Sequence, residues 1–489
     1  MVNARPSRVA AADQVKGMRS IARMSAALVP LLIGLQACGG GIDRGDPPPP
    51  ALPCVATVAA AVGPGSQVSF DSAAMLCVRL DMKDEDFEQL RGENRFAVEE
   101  AVLVEEALAY LTDGCAENIP GHYNWYEAGV NADGLSLQRV GIRKKGFLGS
   151  VAGQGWFKPS LKIKTDQQVA GQLLGDTEHI TLNNSIQDPR RMATCLAHGV
   201  FRDAGYPAPR CNLANVMVND TPLGPYAHVE AIKKRFLERA FGDNSGSLYE
   251  GTIADFSDGF LSGAADGNLG RWQAKTTNTD PKGLPLRHVL DALQVPDPQL
   301  LPALEAVLNL DRFITFWAVE VLINHSDGYT AGRNNFYVYF DPNDGDRAVF
   351  IPWGPDNVFN DDNGEDGGPA GLERYVYAEL PRRLSRVPTI ALRFEKEMRR
   401  LLDVVWREQV LLARIETYAD QVRSAQDDPD FDASVLAMRS WVTGRRAAMQ
   451  TQLSKGLPAG RAQPGLCTDL PFDLAGGGAD ALSILAFFW

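Results

Sequence analysis

The sequence predicts an α+β fold, in which a mixed α/β N-terminal part is followed by a mainly helical C-terminal part. Two observations support this prediction. Segments with strand-like alternation of polar and apolar residues are concentrated before residue 230, and the remainder from Ala231 to Gly456 is mainly helical in pattern. The chain has 489 residues, of which 45% are hydrophobic and 22% charged, so it is long enough to bury a sizeable core.

The first 38 residues combine basic residues, an apolar run and a cysteine. Five Lys and Arg residues precede the apolar segment 26–35, which leads into Leu35-Gln-Ala-Cys38. The apolar run is about half the ~20 residues that span a bilayer. The pattern predicts a lipoprotein signal peptide at 1–38 with lipidation of Cys38. The expected location is outside the cytoplasm, lipid-anchored in the bacterial cell envelope, at the outer membrane or facing the periplasm.

The rest of the chain divides by composition into three parts. Residues 39–53 are rich in Gly and Pro, which predicts a semi-rigid tether. A single domain is expected at 54–456 and a C-terminal tail at 457–489. Six cysteines remain after Cys38, an even number suited to disulfides in an oxidising compartment, with the pairing left open. The net charge of −13 argues against a nucleic-acid-binding surface.

The N-terminal part of the domain is predicted to alternate strands and helices. A first strand is expected at 75–82, and apolar residues at near-helical spacing predict a helix over 84–110. Ser160-Leu-Lys-Ile-Lys-Thr165 alternates polar and apolar residues as a half-buried strand does. Lys162 and Lys164 are therefore expected on one face of that strand.

A further helix and two strands are expected next. Asp188, followed by proline, predicts the N-cap of a helix that runs to about Gly205. Strands are predicted at 212–218 and 225–229, with a hairpin-like connection between them. Glu230 is expected to open the following helical segment.

The most informative stretch lies between residues 310 and 359. A predicted helix over 310–323 is followed by Asn324-His-Ser-Asp327-Gly, then by Arg333-Asn-Asn335, then by Phe350-Ile-Pro-Trp353-Gly-Pro-Asp356. Each polar group alone has a structural explanation, since Asp and Asn are common in turns and at helix ends. Their order along the chain is more specific than any one of them.

In this stretch the chain resembles the CotH family of atypical, spore-coat-type protein kinases. In that family a helix ends in an Asp, a double Asn opens a strand, and a Pro-Trp-Asp-x-Asp-x-x-Phe-like turn follows. Further matches occur in the family's order at Val140-Gly-Ile-Arg-x-x-Gly146, Ser160-Leu-Lys-Ile-Lys164, Leu182-Asn-Asn184 with Asp188-Pro189, Gly205-Tyr-Pro-Ala-Pro209, Val218-Asn219, Gly224-Pro-Tyr226, Val229-Glu230 and Phe241-Gly-Asp-Asn244. The resemblance covers roughly residues 78–430. It implies an atypical protein-kinase-like bilobal fold, with a mixed α/β N-lobe and a mainly helical C-lobe.

The resemblance also implies roles in catalysis and metal binding. Asp327 is expected to accept a proton from, or to orient, the substrate hydroxyl. Asn335, in preference to Asn334, is expected to bind the metal ion, and Asp356 is expected to be the principal carboxylate for Mg²⁺, with Mn²⁺ as an alternative. These are the parts that phosphoryl transfer requires of a protein, together with cationic contacts to phosphate.

Four further residues are implied in nucleotide binding. Lys162 or Lys164 is expected to hold the phosphates of ATP, and Arg143 to assist. Glu230 is expected to lie near the nucleotide-binding linker. Without the resemblance, the two lysines would be interpreted as the solvated face of a strand. Glu230 would be interpreted as an acidic residue at a helix start, where it interacts favourably with the helix dipole.

One position departs from the family pattern. Gly354 and Pro355 precede Asp356, so one of two expected carboxylates is missing. Because Mg²⁺ prefers a nearly complete octahedron of oxygens, this loss is expected to weaken metal binding. The acidic run from Asp361 to Asp366 is either a substitute source of a ligand or a solvated loop.

The sequence therefore leaves three functional hypotheses open. The first is an exported ATP- and Mg²⁺-dependent kinase that phosphorylates Ser or Thr of an envelope or extracellular protein. The second is a catalytically inactive pseudokinase that acts as an envelope scaffold or binding protein, and the third is another nucleotide-dependent transfer such as nucleotidylation. Motifs of other enzyme classes, namely HExxH, GxSxG, GxxxxGK and GxGxxG, do not occur in the sequence.

Overall fold

The computed structural model describes residues 47–54, 68–94, 123–146, 157–261, 269–361 and 371–460. The predicted signal peptide, Cys38 and nearly all of the predicted tail lie outside these residues, as do Cys115, Cys467 and most of the acidic run. Strands and helices both occur, so the α+β prediction is confirmed. None of the helices in the described part combines the length and the apolar composition needed to cross a membrane.

Within the described residues, seven strands form a closed barrel in the order β1-β2-β3-β4-β5-β7-β6. These strands are β1 (Leu76–Asp81), β2 (Tyr126–Ala132), β3 (Leu135–Lys144), β4 (Leu161–Lys164), β5 (His179–Asn183), β6 (Cys211–Val218) and β7 (Thr221–Val229). A parallel pairing of β1 with β6 closes the barrel. Its interior is apolar, with Val78, Ile142 and Ile163 fully buried, so alternate residues of each strand are left to face outward.

A second sheet contains four strands of the described chain, in the order β11-β10-β8-β9. It is formed by β8 (Leu248–Gly251), β9 (Trp272–Ala274), β10 (Phe336–Asp341) and β11 (Arg347–Pro352). The part after Ala231 is thus less uniformly helical than predicted. β8 and β9 have only four and three residues, too few to show an alternating pattern.

The described residues also form twelve α-helices, some of which pack against this second sheet. They are α1 (Asp84–Gly92) beside the barrel, then α2 (Ala193–Asp203), α3 (Lys234–Phe241), α4 (Asp258–Leu261), α5 (Leu284–Gln294), α6 (Asp297–Val307), α7 (Leu310–Ile323), α8 (Tyr329–Gly332), α9 (Glu379–Leu384), α10 (Pro388–Arg400), α11 (Glu408–Arg423) and α12 (Phe431–Leu453). α7 lies in the largest hydrophobic core, where nearly all its side chains are buried. Its bounds agree with the prediction for 310–323.

Four predicted boundaries in the N-terminal part are wrong. The helix predicted over 84–110 ends at Gly92, and residues 95–110 lie outside the described part of the chain. α2 begins at Ala193 and not at residue 188, because Arg191 has a left-handed backbone (φ 59°) that a helix cannot include. The Asp188 carboxylate nevertheless accepts hydrogen bonds from the backbone N–H groups of Met192 (2.8 Å) and Ala193 (2.7 Å). It therefore still caps the helix, across an intervening turn.

The other two boundaries concern the hairpin of β6 and β7. Asn219 and Asp220 alone form the turn, and β7 starts at Thr221, so the strands are longer than predicted. Asn219 adopts a positive φ of 52°, which Asn tolerates well in a tight turn. Glu230 does not open a helix, because it follows the end of β7 and α3 starts only at Lys234.

Two disulfides occur in the described residues. Cys54 is bonded to Cys77 at the start of the barrel, and Cys195 in α2 is bonded to Cys211 at the start of β6. Both are consistent with the predicted oxidising compartment. Residues 50–52 of the predicted tether pack on the loop after α11, where Leu52 N donates to Ala425 O (2.8 Å) and Asp427 N donates to Pro50 O (3.0 Å).

Candidate active site

The candidate site begins where the buried helix α7 ends. Asn324 ends the helix in the left-handed conformation (φ 59°), and its side chain donates to Asn360 O (2.7 Å) and accepts from Tyr375 Oη (2.8 Å). These contacts fix the direction in which the chain leaves the helix. The following loop contains Asp327, the short helix α8 and then Asn334 and Asn335.

Asp327 is held between two asparagine side chains. Asn334 Nδ2 donates to Asp327 Oδ1 at 3.0 Å, and Asn335 Nδ2 donates to Asp327 Oδ2. Burial raises the pKa of Asp327 to about 7, and the charge of Asp356 raises it further against the lowering effect of the two amides. Asp327 is therefore a carboxylate whose proton affinity suits general-base chemistry near neutral pH.

Asp356 lies in the turn that follows β11. The ends of β10 and β11 are joined by a hydrogen bond from Trp353 N to Asn335 O (3.1 Å), which brings this turn next to the Asp327 loop. Burial raises the pKa of Asp356 to about 6, although Lys145 lowers it. Asp327 and Asp356 thus repel each other in a partly buried setting, which a bound cation would relieve.

The segment after Asp356 is anchored by Arg190. Its guanidinium donates to Val358 O (2.9 Å) and Phe359 O (3.0 Å) and is paired with Asp188 at 2.6 Å. The matched Asp188-Pro189 motif therefore contributes both a helix cap and a support for the Asp356 turn. The cap was predicted from the sequence, whereas the support of the Asp356 turn was not.

Gly354 stands where the second carboxylate was expected, and it is closely packed against Asn335. Its backbone has a φ of +52°, and a Cβ atom there would lie 2.6 Å from Asn335 Oδ1. A side chain at this position would have to displace Asn335. The oxygen of Asn335 occupies the space into which a carboxylate at residue 354 would extend.

These side chains form a set of hard oxygen donors. Asp327, Asp356 and Asn335 supply carboxylate and amide oxygens, which Mg²⁺ and Mn²⁺ prefer. A site that relies on His, Cys or additional carboxylates is not found, because no group of three or more such side chains clusters in the described ranges. Two carboxylates and one amide fit a magnesium ion that keeps several waters and binds substrate phosphates.

Cationic groups of the barrel lie close to the Asp356 turn. Lys145, just after β3, donates to Asn183 Oδ1, and its Nζ lies 5.5 Å from the centre of the Trp353 ring. Burial lowers the pKa of Lys145 to about 8, while Asp356 and Glu250 raise it. Lys145 was missed in the sequence, although it lies inside the matched motif 140–146.

Lys162 belongs to a second group of charges. It lies opposite Arg143 in the pairing of β3 with β4. Burial lowers the pKa of Lys162 to about 7, as do the neighbouring charges of Lys233, Lys275 and Arg143. Such mutual repulsion among cations favours the binding of an anion.

Glu250 of β8 lies among these lysines. Its carboxylate is paired with Lys275 and accepts a hydrogen bond from Tyr337 Oη (2.8 Å). Burial raises the pKa of Glu250, but nearby groups, above all the charge of Lys275, lower it by more. The resulting pKa is about 2. Glu250, Lys233 and Lys275 were not singled out from the sequence, because nothing in their local pattern marks them.

The remaining predicted residues lie in different surroundings. Lys164 pairs with Asp166 at 3.3 Å, so Lys162 is the one of the two lysines that lies in the cationic group. The guanidinium of Arg143 stacks 4.6 Å from the centre of the Trp125 ring. Glu230 binds Arg210 (2.9 Å) and Arg239 (2.6 Å), and these ion pairs give its carboxylate a structural role at the end of β7.

Comparisons with known proteins identify similar sequences. The family model described as CotH kinase protein matches residues 147–449, more than half of the chain. Invasin CotH3 of Rhizopus delemar is 24% identical over 221 residues, which cover 43% of this chain and 36% of the relative. Invasin CotH2 of the same organism is 24% identical over 197 residues, covering 38% and 33%. The chain matches only about a third of the length of these relatives.

Proposed function

The chain belongs to the CotH kinase protein family, and from that premise and the geometry of the site we propose that it is an exported protein kinase. It transfers the terminal phosphate of ATP, with Mg²⁺ or Mn²⁺, to Ser or Thr of an envelope or extracellular protein. In this proposal the barrel is the N-lobe of a bilobal kinase-like arrangement, and the second sheet with its helices is the C-lobe.

The observation that carries the proposal is a pair of side-chain groups with opposite charge, here called the acidic wall and the cationic wall. Asp327, Asn335 and Asp356 present oxygen donors on one side. Lys145 and Lys162 present cations on the other. This combination supplies the base, the metal ligands and the phosphate contacts of phosphoryl transfer.

In the proposed reaction each residue has a defined task. The substrate hydroxyl oxygen attacks the terminal phosphorus of ATP, the bond to the bridging oxygen breaks, and ADP leaves. The proton of the hydroxyl passes to the Asp327 carboxylate, which the Asn334 and Asn335 amides orient. Asn335 and Asp356 would hold the metal ion, which when bound neutralises charge on the phosphates.

The cationic wall would act on the nucleotide. Lys145 lies within electrostatic reach of Asp356, so it is suited to contact the same phosphates as the metal ion. Lys162, with Lys233 and Lys275 close by, extends the positive potential further from the base. Glu230 has no part in this scheme, because Arg210 and Arg239 bind both of its carboxylate oxygens.

A second candidate function rests on Gly354. With Asn335 in the space of a second carboxylate, the metal is left with fewer charged ligands than the family pattern provides. The alternative is therefore a catalytically inactive pseudokinase that serves as an envelope scaffold or binding protein. The disulfides and the invasin relatives support an exported location for either function. Lipidation of Cys38, and with it anchoring in the membrane, is part of the same proposal.

The direct test is transfer by the purified full-length protein. ATP with Mg²⁺ or Mn²⁺ is incubated with the protein and a Ser/Thr-containing acceptor protein, beside Asp327→Ala, and products are followed by intact mass. A gain of one phosphate that is absent in Asp327→Ala is expected. A gain of AMP would instead indicate nucleotidylation, and no transfer together with no metal-dependent ATP binding would favour the scaffold.

A further inference from the structure

Helix α7 contains a carboxylate in an apolar setting. Glu320 is fully buried, with apolar residues before and after it in the helix. Removing a carboxylate from water is costly unless hydrogen bonds compensate for the loss. The partners of Glu320 therefore indicate what this side chain contributes.

All the side-chain hydrogen bonds seen for Glu320 come from the loop that carries Asp327. Oε1 accepts from Tyr329 N at 3.0 Å, and Oε2 accepts from Thr330 N at 2.9 Å and from Thr330 Oγ1 at 2.6 Å. The backbone carbonyl of Glu320 also accepts from His325 N at 2.8 Å. Residues on both sides of Asp327 are thus bound to one residue of a rigid buried helix.

Gly328 makes this contact possible. A Cβ atom at Gly328 would overlap Glu320 Oε1, and its φ of −80° is ordinary, so the glycine is required for space and not for backbone conformation. At the last residue of α8, a Cβ atom on Gly332 would lie 2.9 Å from Ser326 O. The loop is therefore closed tightly around the carboxylate of Glu320.

A second buried carboxylate supports the same loop from outside. Asp255 Oδ1 accepts from Tyr329 Oη at 2.9 Å, and Asp255 Oδ2 accepts from Glu379 N at 2.9 Å. Tyr329 is consequently held at its backbone by Glu320 and at its hydroxyl by Asp255. The residue two positions after Asp327 has little freedom to move.

We infer that Glu320 is a positioning residue for the transfer reaction, which holds Asp327 at the geometry needed to receive the substrate proton. This inference rests on the proposed function, and it adds a residue that does not itself touch substrate, metal or nucleotide. Because small displacements of a catalytic group cost large factors in rate, loss of the clamp should act on kcat and leave nucleotide affinity nearly intact.

The test uses the full chain and four variants. Glu320→Gln keeps the size but places an amide donor against a backbone N–H group. Thr330→Val removes only the hydroxyl donor, and Thr330→Ser restores it. Glu397→Gln is the matched control, because Glu397 accepts from Thr315 Oγ1 of the same helix α7 (2.8 Å) without contacting the Asp327 loop.

Three measurements are made on each variant: kcat, KM for ATP, and amide hydrogen exchange of the segment 326–335. Glu320→Gln is expected to lower kcat by about 10- to 100-fold with KM for ATP within about 3-fold, and to speed exchange at Tyr329 and Thr330. Thr330→Val should show a smaller loss of kcat that Thr330→Ser recovers. Glu397→Gln should match the wild type.

The outcomes separate this inference from the proposed function. If Glu320→Gln keeps wild-type kcat and exchange, the clamp is refuted. If Thr330→Ser loses as much kcat as Thr330→Val, the hydroxyl contact with Glu320 does not matter for the reaction, and the clamp is refuted in favour of a merely structural role. If the wild type transfers no phosphate, the proposed function fails, and the clamp is then decided by exchange at Tyr329 and Thr330 alone.

Discussion

The two walls of the candidate site differ in both charge and construction. The cationic wall is built on the barrel, where β3 and β4 carry Arg143, Lys145 and Lys162 on or next to paired strands. The opposite wall consists of loops, in which Asp327 and Asp356 depend on polar contacts for their positions. Neighbouring strands hold the residues of the barrel in place through their hydrogen bonds, whereas the loops are held by side chains such as Glu320 and Arg190.

The walls also differ in the direction of their pKa shifts. Burial lowers the pKa of Lys145 and Lys162 and raises the pKa of Asp327 and Asp356, so each wall by itself favours uncharged groups. A metal ion held by Asn335 and Asp356 would favour the ionised carboxylates, and a polyphosphate would favour the protonated lysines. Burial of charge is therefore costly in each wall alone, and a metal–nucleotide complex would compensate for that cost in both.

The largest effect is expected from removing the metal carboxylate. Asp356→Asn keeps the shape of the turn but loses a charged ligand, so the Kd of Mn²⁺ in the presence of ATP should rise by at least about 100-fold. Isothermal titration calorimetry measures it, with Asp220→Asn in the β6–β7 turn as the control. An unchanged Kd in Asp356→Asn would mean that the acidic wall holds no metal.

The pH dependence of kcat/KM tests both walls together. Asp327 must be ionised to accept a proton, and its pKa is about 7, so activity should fall about tenfold per pH unit just below that value. The fall should become steeper below about pH 6, where the Asp356 carboxylate is also protonated. Lys145 must be protonated to hold phosphate, and its pKa is about 8, so activity should decline again above that value. A steady-state pH profile measures these limbs, and a flat profile from about pH 5.5 to 7 would contradict the role of Asp327.

Substitution of the lysines distinguishes positions on the cationic wall. Lys145→Met removes a charged contact to phosphate and should raise KM for ATP by about 10-fold. Lys162→Met should have a similar or smaller effect, and Lys164→Met the smallest, because Lys164 is already paired with Asp166. Initial-rate kinetics give this order, and a larger effect for Lys164 than for Lys145 would reverse the assignment.

The smallest expected effect concerns stability. Gly354→Asp restores the carboxylate of the family pattern, but its Cβ must displace Asn335 and the backbone has a positive φ. The variant should lose about 1–3 kcal/mol of unfolding free energy without a gain in metal affinity. Thermal unfolding and Mn²⁺ titration measure the two quantities. Tighter metal binding at unchanged stability would show that the site had merely lost a ligand.

The sequence predicted the acidic wall better than the cationic one. Asp327, Asn335 and Asp356 lie in an ordered set of motifs. In the structure Asn335 donates to Asp327, and the charge of Asp356 is close enough to act on Asp327. Arg143 was expected to assist only because of the family resemblance, whereas Lys145 lies just after the end of β3, where the strand pattern gives no guide to its surroundings.

Long-range contacts explain the other differences between sequence and structure. Glu230 forms ion pairs with Arg210 and Arg239, which are 20 and 9 residues away in sequence. No local sequence pattern predicts these partners. Gly354 could be recognised as a missing carboxylate, but only the structure shows that Asn335 fills the space. The bounds of α7 were predictable because its apolar run is long, whereas the short strands β8 and β9 carry no such signal.

We propose that the two walls bind a metal ion and a nucleotide together. The most direct measurement is titration of the full-length wild-type protein with ATP, with and without Mn²⁺, and with Mn²⁺ with and without ATP. We expect each ligand to lower the Kd of the other by the same factor, at least about 10-fold, because the coupling between two binding sites is reciprocal. ATP binding that is equal with and without the metal, or absent in both, would contradict it.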